Sequence, residues 1–365
     1  MTNVRSLFAG MAAALLAAVL FSPVGVSAIS AEKAFVVDGQ TGRVIFEKNP
    51  DKQSLIASTT KIMTALVVCE QCNVLDRVRI PKEAVGIEGS SMYLREGEIL
   101  TVQELLYGLM LHSGNDAAVA LAIYCGGTVE GFAELMNDKA FRLGLGQTHF
   151  VNPHGLDAPD HYSTARDLGL LACYAMKNPI FARTVSAKNV KVGERFLTNH
   201  NKLLWQVEGA NGVKTGFTKA AGRILVSSAE RNGRSVIAVT INAPDDWHDH
   251  KTLLEKGFTA YTPVQVVEKG ECIGSLPVAG GEGGFVDLVA AEGFCYALHE
   301  SESIRIQLPP YSFVYAPVVD GAEAGFGYIL VNDIPVGKIP LAYGNTVEQE
   351  PEPKVPWWKK LFSGG

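Results

Sequence analysis

The sequence predicts an α+β chain: an antiparallel sheet flanked by helices, with a helical lobe, followed by a small all-β domain. Three observations carry this. Segments rich in β-formers stand near Ala34 and again after Gly212, and the stretch between them has helical spacing. Beyond Thr262-Pro263 the composition shifts to glycine, proline and short β-branched runs. The chain has 365 residues, 47% of them hydrophobic, which is ample for two cores. Its formal net charge of −6 argues against nucleic acid as a partner.

The elements follow in order. Arg5 and the apolar run Leu7 to Phe21 read as an export signal, 1–28, with cleavage after Ala28 or after Ala31. The run is shorter than the roughly 20 residues a spanning helix needs, and a retained N-terminal anchor is the alternative. A main domain is expected over 29–261. It opens with a hairpin, Ala34–Asp38 and Val44–Phe46, at the edge of the sheet; Pro50-Asp51 then breaks the chain before a helix that begins near Ser58. Thr101-Val102-Gln103-Glu104 is a capping box, followed by Leu105, Leu106, Leu109 and Met110 at helical spacing. Further helices are expected at 117–124, 128–143, 163–177 and 251–261, and antiparallel strands at 213–218, 224–229 and 236–241. Met63 and Met110 read as core. An all-β domain covers 262–345 as spacer or interaction module, and 346–365 reads as an acidic linker ending in Trp357, Trp358, Leu361 and Phe362 opposite Lys359 and Lys360. Burying four such side chains is worth roughly 6–10 kcal/mol before entropic costs, which suits a peripheral membrane anchor; docking of the tail on the protein's own surface is the alternative.

The chemistry centres on Ser58-Thr59-Thr60-Lys61. A serine and a lysine three residues apart share a helix face, as a nucleophile and its base require. The pattern alone is weak: it arises by chance about once in a chain of this length, and Ser30-Ala31-Glu32-Lys33 is a decoy, left at a loose terminus or removed by processing. What distinguishes Ser58 is Ser113-Gly114-Asn115 and then Lys214-Thr215-Gly216 downstream. In that order the three motifs resemble those of the serine-type D-alanyl-D-alanine carboxypeptidases, the low-molecular-mass penicillin-binding proteins. The resemblance extends through Leu111–Ala118, Asn152–Asp157 and Val213–Thr218, and covers most of the chain from about Ala34.

That resemblance implies a penicillin-binding/β-lactamase-like fold and an exported enzyme at the extracytoplasmic face of the membrane. It implies removal of the terminal D-alanine from the peptidoglycan stem peptide through an acyl-Ser58 intermediate, with β-lactams as covalent inhibitors. Lys61 suits the base only if burial and the charge of Lys214 lower its pKa from the usual ~10.4. Ser113 relays the proton to the leaving amine, as the resemblance implies. Asn115 offers an amide to the substrate's peptide group; Lys214 and Thr215 suit its carboxylate; Gly216 lets it approach the strand closely. Backbone N–H groups of Ser58 and Phe217 form the oxyanion hole by the same resemblance. An arginine counterpart for the carboxylate has no obvious position.

Two rival functions share the motifs. A β-lactamase lacks any need for the C-terminal domain and tail, and no Glu-x-x-Leu-Asn stands out; a catalytically silent cell-wall scaffold would not need the full set of side chains. No cofactor and no metal are expected. Asp245-Asp246-Trp247-His248-Asp249-His250 has metal-binding residue types without a metal-ligand spacing, and reads instead as acids preceding a helix. His154 and Asp157 read as loop structure beside the site. Of six cysteines, Cys69 and Cys72 lack a second pair, Cys125 and Cys173 read as buried thiols, and Cys272 and Cys295 are free to pair in an oxidising compartment.

Overall fold

The computed structural model describes residues 29–299 and 302–351. These fall into two compact units that divide between Glu255 and Lys256, within the helix α8 (Asp246–Thr259). The first unit is built on a five-stranded antiparallel sheet of β1 (Lys33–Asp38), β2 (Val44–Lys48), β7 (Ala210–Thr218), β8 (Gly222–Arg231) and β9 (Arg234–Ile241), in the order β2-β1-β9-β8-β7. The N-terminal hairpin and the late strands therefore meet in one sheet, and β7 is left at an edge. The α+β class expected from the sequence is the one observed.

Both faces of this sheet are covered, which is why β1 is buried along its whole length and shows no alternation. One face carries α5 (Ala165–Met176): Gly169 lets the Phe35 ring lie where a side chain would clash, with Val239 packed beside it. The opposite face carries α8 (Asp246–Thr259). There the His250 ring sits between Ser227 Oγ, 2.5 Å from Nδ1, and Thr240 Oγ1, 2.9 Å from Nε2. Val239 and Thr240 point to opposite faces because strand side chains alternate.

The rest of the unit is helical: α1 (Lys61–Gln71), α2 (Val102–Leu111), α3 (Asn115–Gly126), α4 (Val129–Arg142), α6 (Pro179–Ser186) and the short α7 (Leu203–Gln206), with the small ribbons β3 (Arg77–Arg79) to β4 (Ile99–Thr101) and β5 (Asn189–Val192) to β6 (Arg195–Thr198). The capping box is formed in both directions: Thr101 Oγ1 accepts from Glu104 N at 3.2 Å, and Thr101 N donates to Glu104 Oε2 at 2.7 Å. Removing such a cap costs about 1 kcal/mol. Leu105, Leu106, Leu109 and Met110 lie in the core, as does Met63.

Three expectations need correction. Helix α8 begins at Asp246, not near Lys251, because the acids form its first turn, where the helix dipole favours them. Ser30 is not at a loose terminus: its N–H and hydroxyl donate to the Asp249 carboxylate, each at 2.8 Å, and Ala31 N donates at 2.9 Å. Residues 346–350 are not a free linker. Val347 is buried and bridges to Val318, and Gln349 bridges to Gly281.

The second unit holds β10 (Thr262–Val267) paired with β13 (Phe294–Leu298), and a six-stranded sheet of order β14-β16-β17-β12-β11-β15. Its members are β11 (Cys272–Ala279), β12 (Phe285–Ala290), β14 (Ile304–Gln307), β15 (Val314–Tyr315), β16 (Glu323–Val331) and β17 (Ile334–Tyr343). The alternation of β12 puts Val286, Leu288 and Ala290 into the core with Leu276, Ile329, Ile339 and Leu341. Cys272 and Cys295 are unbridged; Cys295 Sγ donates instead to Gln265 Oε1 at 2.7 Å.

Burial pushes the His250 imidazole down to about 3, from an ordinary value near ~6.5. Between these values the unfolded chain binds a proton that the native state refuses. This contribution to stability is complete above pH ~6.5 and is lost as pH falls toward 3. It amounts to about 2–3 kcal/mol between pH 7 and 4.5. Denaturant unfolding of this unit should therefore weaken over that window, and His250→Gln should flatten the slope by about that amount.

Candidate active site

Ser58 lies on a 3-10 turn, Ala57–Thr60, that runs directly into α1. A 3-10 turn has three residues per turn, so Ser58 stacks over Lys61 at the helix start. Ser58 Oγ is 3.0 Å from Lys61 Nζ. The other partners of Nζ are Asn115 Oδ1 at 2.7 Å and the His154 carbonyl at 2.6 Å. Both are acceptors only. A neutral amine gives them its two protons and turns its lone pair toward the Ser58 hydroxyl.

That arrangement requires a neutral lysine. Burial is the main force holding Lys61 well below the ordinary value; the Lys214 charge adds to it, and Asp116 opposes it. Lys214, also buried, is lowered to about 7 by burial, and its ammonium donates to the Thr215 carbonyl at 2.8 Å. Charge on Lys214 acts against charge on Lys61, so Lys61 is the member of the pair that stands neutral.

The His154 carbonyl comes from the loop Asn152–Asp157. Asn152 Oδ1 accepts from Gly155 N at 2.7 Å, and Asp157 Oδ1 accepts from Thr218 Oγ1 at 3.2 Å. Gly155 has φ +88° and would bring a Cβ within 1.8 Å of the Ala57 carbonyl, so only glycine lets this loop meet the nucleophile turn. Burial holds the His154 imidazole down to about 4.

Ser113 joins α2 to α3 with φ +62°, a left-handed conformation unusual for serine. Asn115 then opens α3. Its Nδ2 donates to the Glu88 carbonyl at 2.5 Å, and its backbone N–H to the Ser90 carbonyl at 2.7 Å. The side chain expected to meet substrate is thus first a brace for Lys61 and for the 88–90 loop, with one amide proton left over among the described residues. Asp116 continues the brace, accepting from Ser91 Oγ at 2.6 Å and from Met92 N and Leu94 N, both at 3.0 Å.

Ser58, Ser113, Thr215, Gly216 and Phe217 line one cavity of about 390 Å³, together with Ser90, His200, Lys202, Arg223, Asp246 and Trp247. The edge strand β7 forms one wall. A Cβ on Gly216 would sit 3.3 Å from Ser58 N and from the Ile56 carbonyl, so this glycine serves the packing of strand against nucleophile turn. Arg223 faces Phe217 across the β7–β8 ladder, and its Nη2 donates to Asp246 Oδ1 at 2.8 Å. Its side chain remains 43% exposed, so it presents a cation to the cavity.

Arg223, Asp246, Trp247, His200 and Asp116 were not legible as site residues. Within the cluster Asp245–His250, Asp246 pairs with Arg223, Asp249 holds Ser30 and Ala31, and His250 bridges two strands. Each of the three has its own separate structural partner.

A family model of D-alanyl-D-alanine carboxypeptidases matches residues 21–245, and one of the penicillin-binding protein 5 C-terminal domain matches 261–349. The chain belongs to the D-alanyl-D-alanine carboxypeptidase family. Among the relatives of this carboxypeptidase, DacF of Bacillus subtilis is 31% identical over 81% of this chain and 80% of its own length. DacC of Escherichia coli is 34% identical over 80% and 79%. Penicillin-binding protein 5 of Haemophilus influenzae superposes with TM-score 0.75 at 29% identity, over 88% of this chain and 98% of that one. The Streptomyces K15 DD-transpeptidase superposes with TM-score 0.61 at 37% identity, over 63% and 98%. The carboxypeptidase is a serine-type enzyme acting on the extracytoplasmic side, with peptidoglycan as substrate and β-lactams as ligands of its family.

Proposed function

We propose that this carboxypeptidase removes the terminal D-alanine from the peptidoglycan pentapeptide by way of an acyl-Ser58 ester, with Lys61 as base. The observation that carries the mechanism is the 3.0 Å approach of Ser58 Oγ to an amine whose remaining partners only accept. Ser58 Oγ attacks the carbonyl of the penultimate D-alanine while its proton passes to Lys61. Collapse expels D-alanine, whose nitrogen takes the proton that Lys61 received, relayed through Ser113, and Lys61 is neutral again. Water then attacks the ester with Lys61 again as base. N–H groups of Ser58 and Phe217 receive the oxyanion, a role supported by the tight packing at Gly216.

Lys214 and Thr215 bind the terminal carboxylate, and the spare Asn115 amide proton holds the peptide. Arg223 supplies a second cation for that carboxylate from the cavity wall, and Asp246 keeps it there. The expected result is release of D-alanine from an acyl-D-Ala-D-Ala peptide, lost in Ser58→Ala. Arg223→Ala should raise KM about 10–100-fold with kcat largely kept, the scale of losing a charged hydrogen bond. Loss of kcat at unchanged KM would remove Arg223 from this role.

The organisation that accompanies this reading is a signal over 1–28, a peptidase domain, a β domain and a C-terminal membrane helix. The tail carrying Trp357 to Phe362 lies outside the described residues; its two-faced pattern supports peripheral attachment. Because Val347 is buried, the informative truncation falls after Pro351. It should give an active enzyme that no longer sediments with membranes. Continued sedimentation would move the anchor elsewhere.

A further inference from the structure

The loop from Ser90 to Glu98 starts in the catalytic cavity, which Ser90 lines, and leaves it along the wall of a second groove. At Tyr93 its backbone is left-handed, φ +59°, a conformation that a bulky residue holds only when its surroundings impose it. Two side chains do so. Asp116 accepts from Met92 N and Leu94 N, both at 3.0 Å, and from Ser91 Oγ at 2.6 Å, which itself accepts from Tyr93 N at 2.9 Å. Arg195 takes the carbonyls, with Nε on Met92 O at 2.7 Å and Nη2 on Tyr93 O at 3.0 Å. Glu98 fixes the guanidinium through two more bonds, at 2.6 and 2.8 Å. The ring that this clamp presents is 80% exposed, so the strain does not serve the core.

Tyr93 stands on a groove of about 730 Å³ whose walls include Arg95, Glu96, Glu98, Glu194 and Arg195. The side chains of Arg95, Glu96 and Glu194 are exposed. An open groove with one flat ring and a rim of charged donors and acceptors suits a pyranose. Its C–H bonds make an apolar face for the ring, and its hydroxyl and acetamido groups point outward to the rim. A peptide is served less well here. Met92 and Tyr93 have both backbone groups engaged, so the loop offers no edge for pairing, whereas the edge strand β7 walls the catalytic cavity.

We propose that Tyr93 is the stacking platform of a glycan subsite, holding a sugar ring of peptidoglycan whose stem peptide lies in the catalytic cavity. This rests on the peptidase reading given above. The lengths agree with it. Ser90 and Tyr93 are three residues apart, so their Cα atoms are separated by at most about 11 Å. The four stem residues between sugar and scissile bond span about 13–14 Å when extended. A stem that ends at Ser58 therefore sets its sugar within reach of Tyr93.

The test compares D-alanine release from a pentapeptide carrying an N-acetylated disaccharide with release from the bare pentapeptide, using the full chain. The disaccharide should lower KM about 3–10-fold, the scale of one aromatic stacking contact. Tyr93→Asn removes the ring while keeping a residue that tolerates the left-handed backbone, and should bring the ratio of the two substrates to about one. Tyr93→Phe keeps the platform and should keep the ratio. A ratio of one in the unmutated enzyme, or a ratio kept in Tyr93→Asn, would overturn the proposal. Equal losses on both substrates in Tyr93→Asn would also overturn it, and would assign the ring to the stem peptide. If the unmutated enzyme cleaves neither substrate, the peptidase reading fails instead. Retention of the chain on peptide-free glycan strands, lost in Tyr93→Asn, then decides the subsite.

Discussion

Replacing Lys61 by alanine is expected to slow acylation of Ser58 by about 10²–10⁴-fold in a protein that remains folded. The fold tolerates the change for a physical reason. Alanine leaves the acceptors Asn115 Oδ1 and His154 O without their partner, at about 1–3 kcal/mol each. It also removes a fully buried amine whose protonation the site resists. Lys61→Arg separates base from brace: guanidinium keeps donors for both acceptors and stays charged, so it should acylate as poorly as alanine.

The pH profile of the unmutated enzyme carries the same logic. Acylation should fail on the acid side as Lys61 gains a proton, and carboxylate binding should weaken above about 7 as Lys214 loses one. The result is a bell in kcat/KM whose acid limb is absent in Lys61→Ala. Acylation at the original rate in folded Lys61→Ala would eliminate lysine as the base.

What could be read from the chain beforehand was whatever is local. Thr101 and Glu104 cap a helix three residues apart, and Ser58 and Lys61 share a turn, so spacing alone carries both. The sheet was legible because its strands are β-rich and separated by glycine turns. Contacts set by tertiary packing were not. Ser30 and Asp249 are 219 residues apart, and nothing near either announces the other. Arg223 reads as one polar residue in a strand until α8 brings Asp246 beside it. The closest partner of Lys61 is the carbonyl of His154, a backbone atom with no residue-type signature. Asp116 directly follows the second motif, yet its role as a brace depends on a loop 22–25 residues upstream.

A penicillin should acylate Ser58 and stay there for minutes or longer, while the peptide substrate turns over. In the proposed mechanism both present a carbonyl to Ser58 Oγ and a carboxylate to the cavity wall at Thr215. They differ after the bond breaks. D-alanine departs and leaves room for water; the opened lactam keeps its amine tethered and occupies the water's approach. A β-lactamase answers this with a carboxylate that activates a held water. Among the described residues around Lys61, the contacts are an amide oxygen and a backbone carbonyl, and neither is a base. The carboxylate that lines the cavity, Asp246, is paired with Arg223, and Asp116 is buried on its own loop contacts. In the proposed mechanism deacylation thus depends on Lys61 alone, reaching past the tethered amine. Intact-protein mass spectrometry should find one penicilloyl adduct, absent in Ser58→Ala and decaying far more slowly than peptide turnover. Rapid penicillin hydrolysis with no adduct on Ser58 would reassign the site to β-lactam hydrolysis, and Asp246 would become the carboxylate to test.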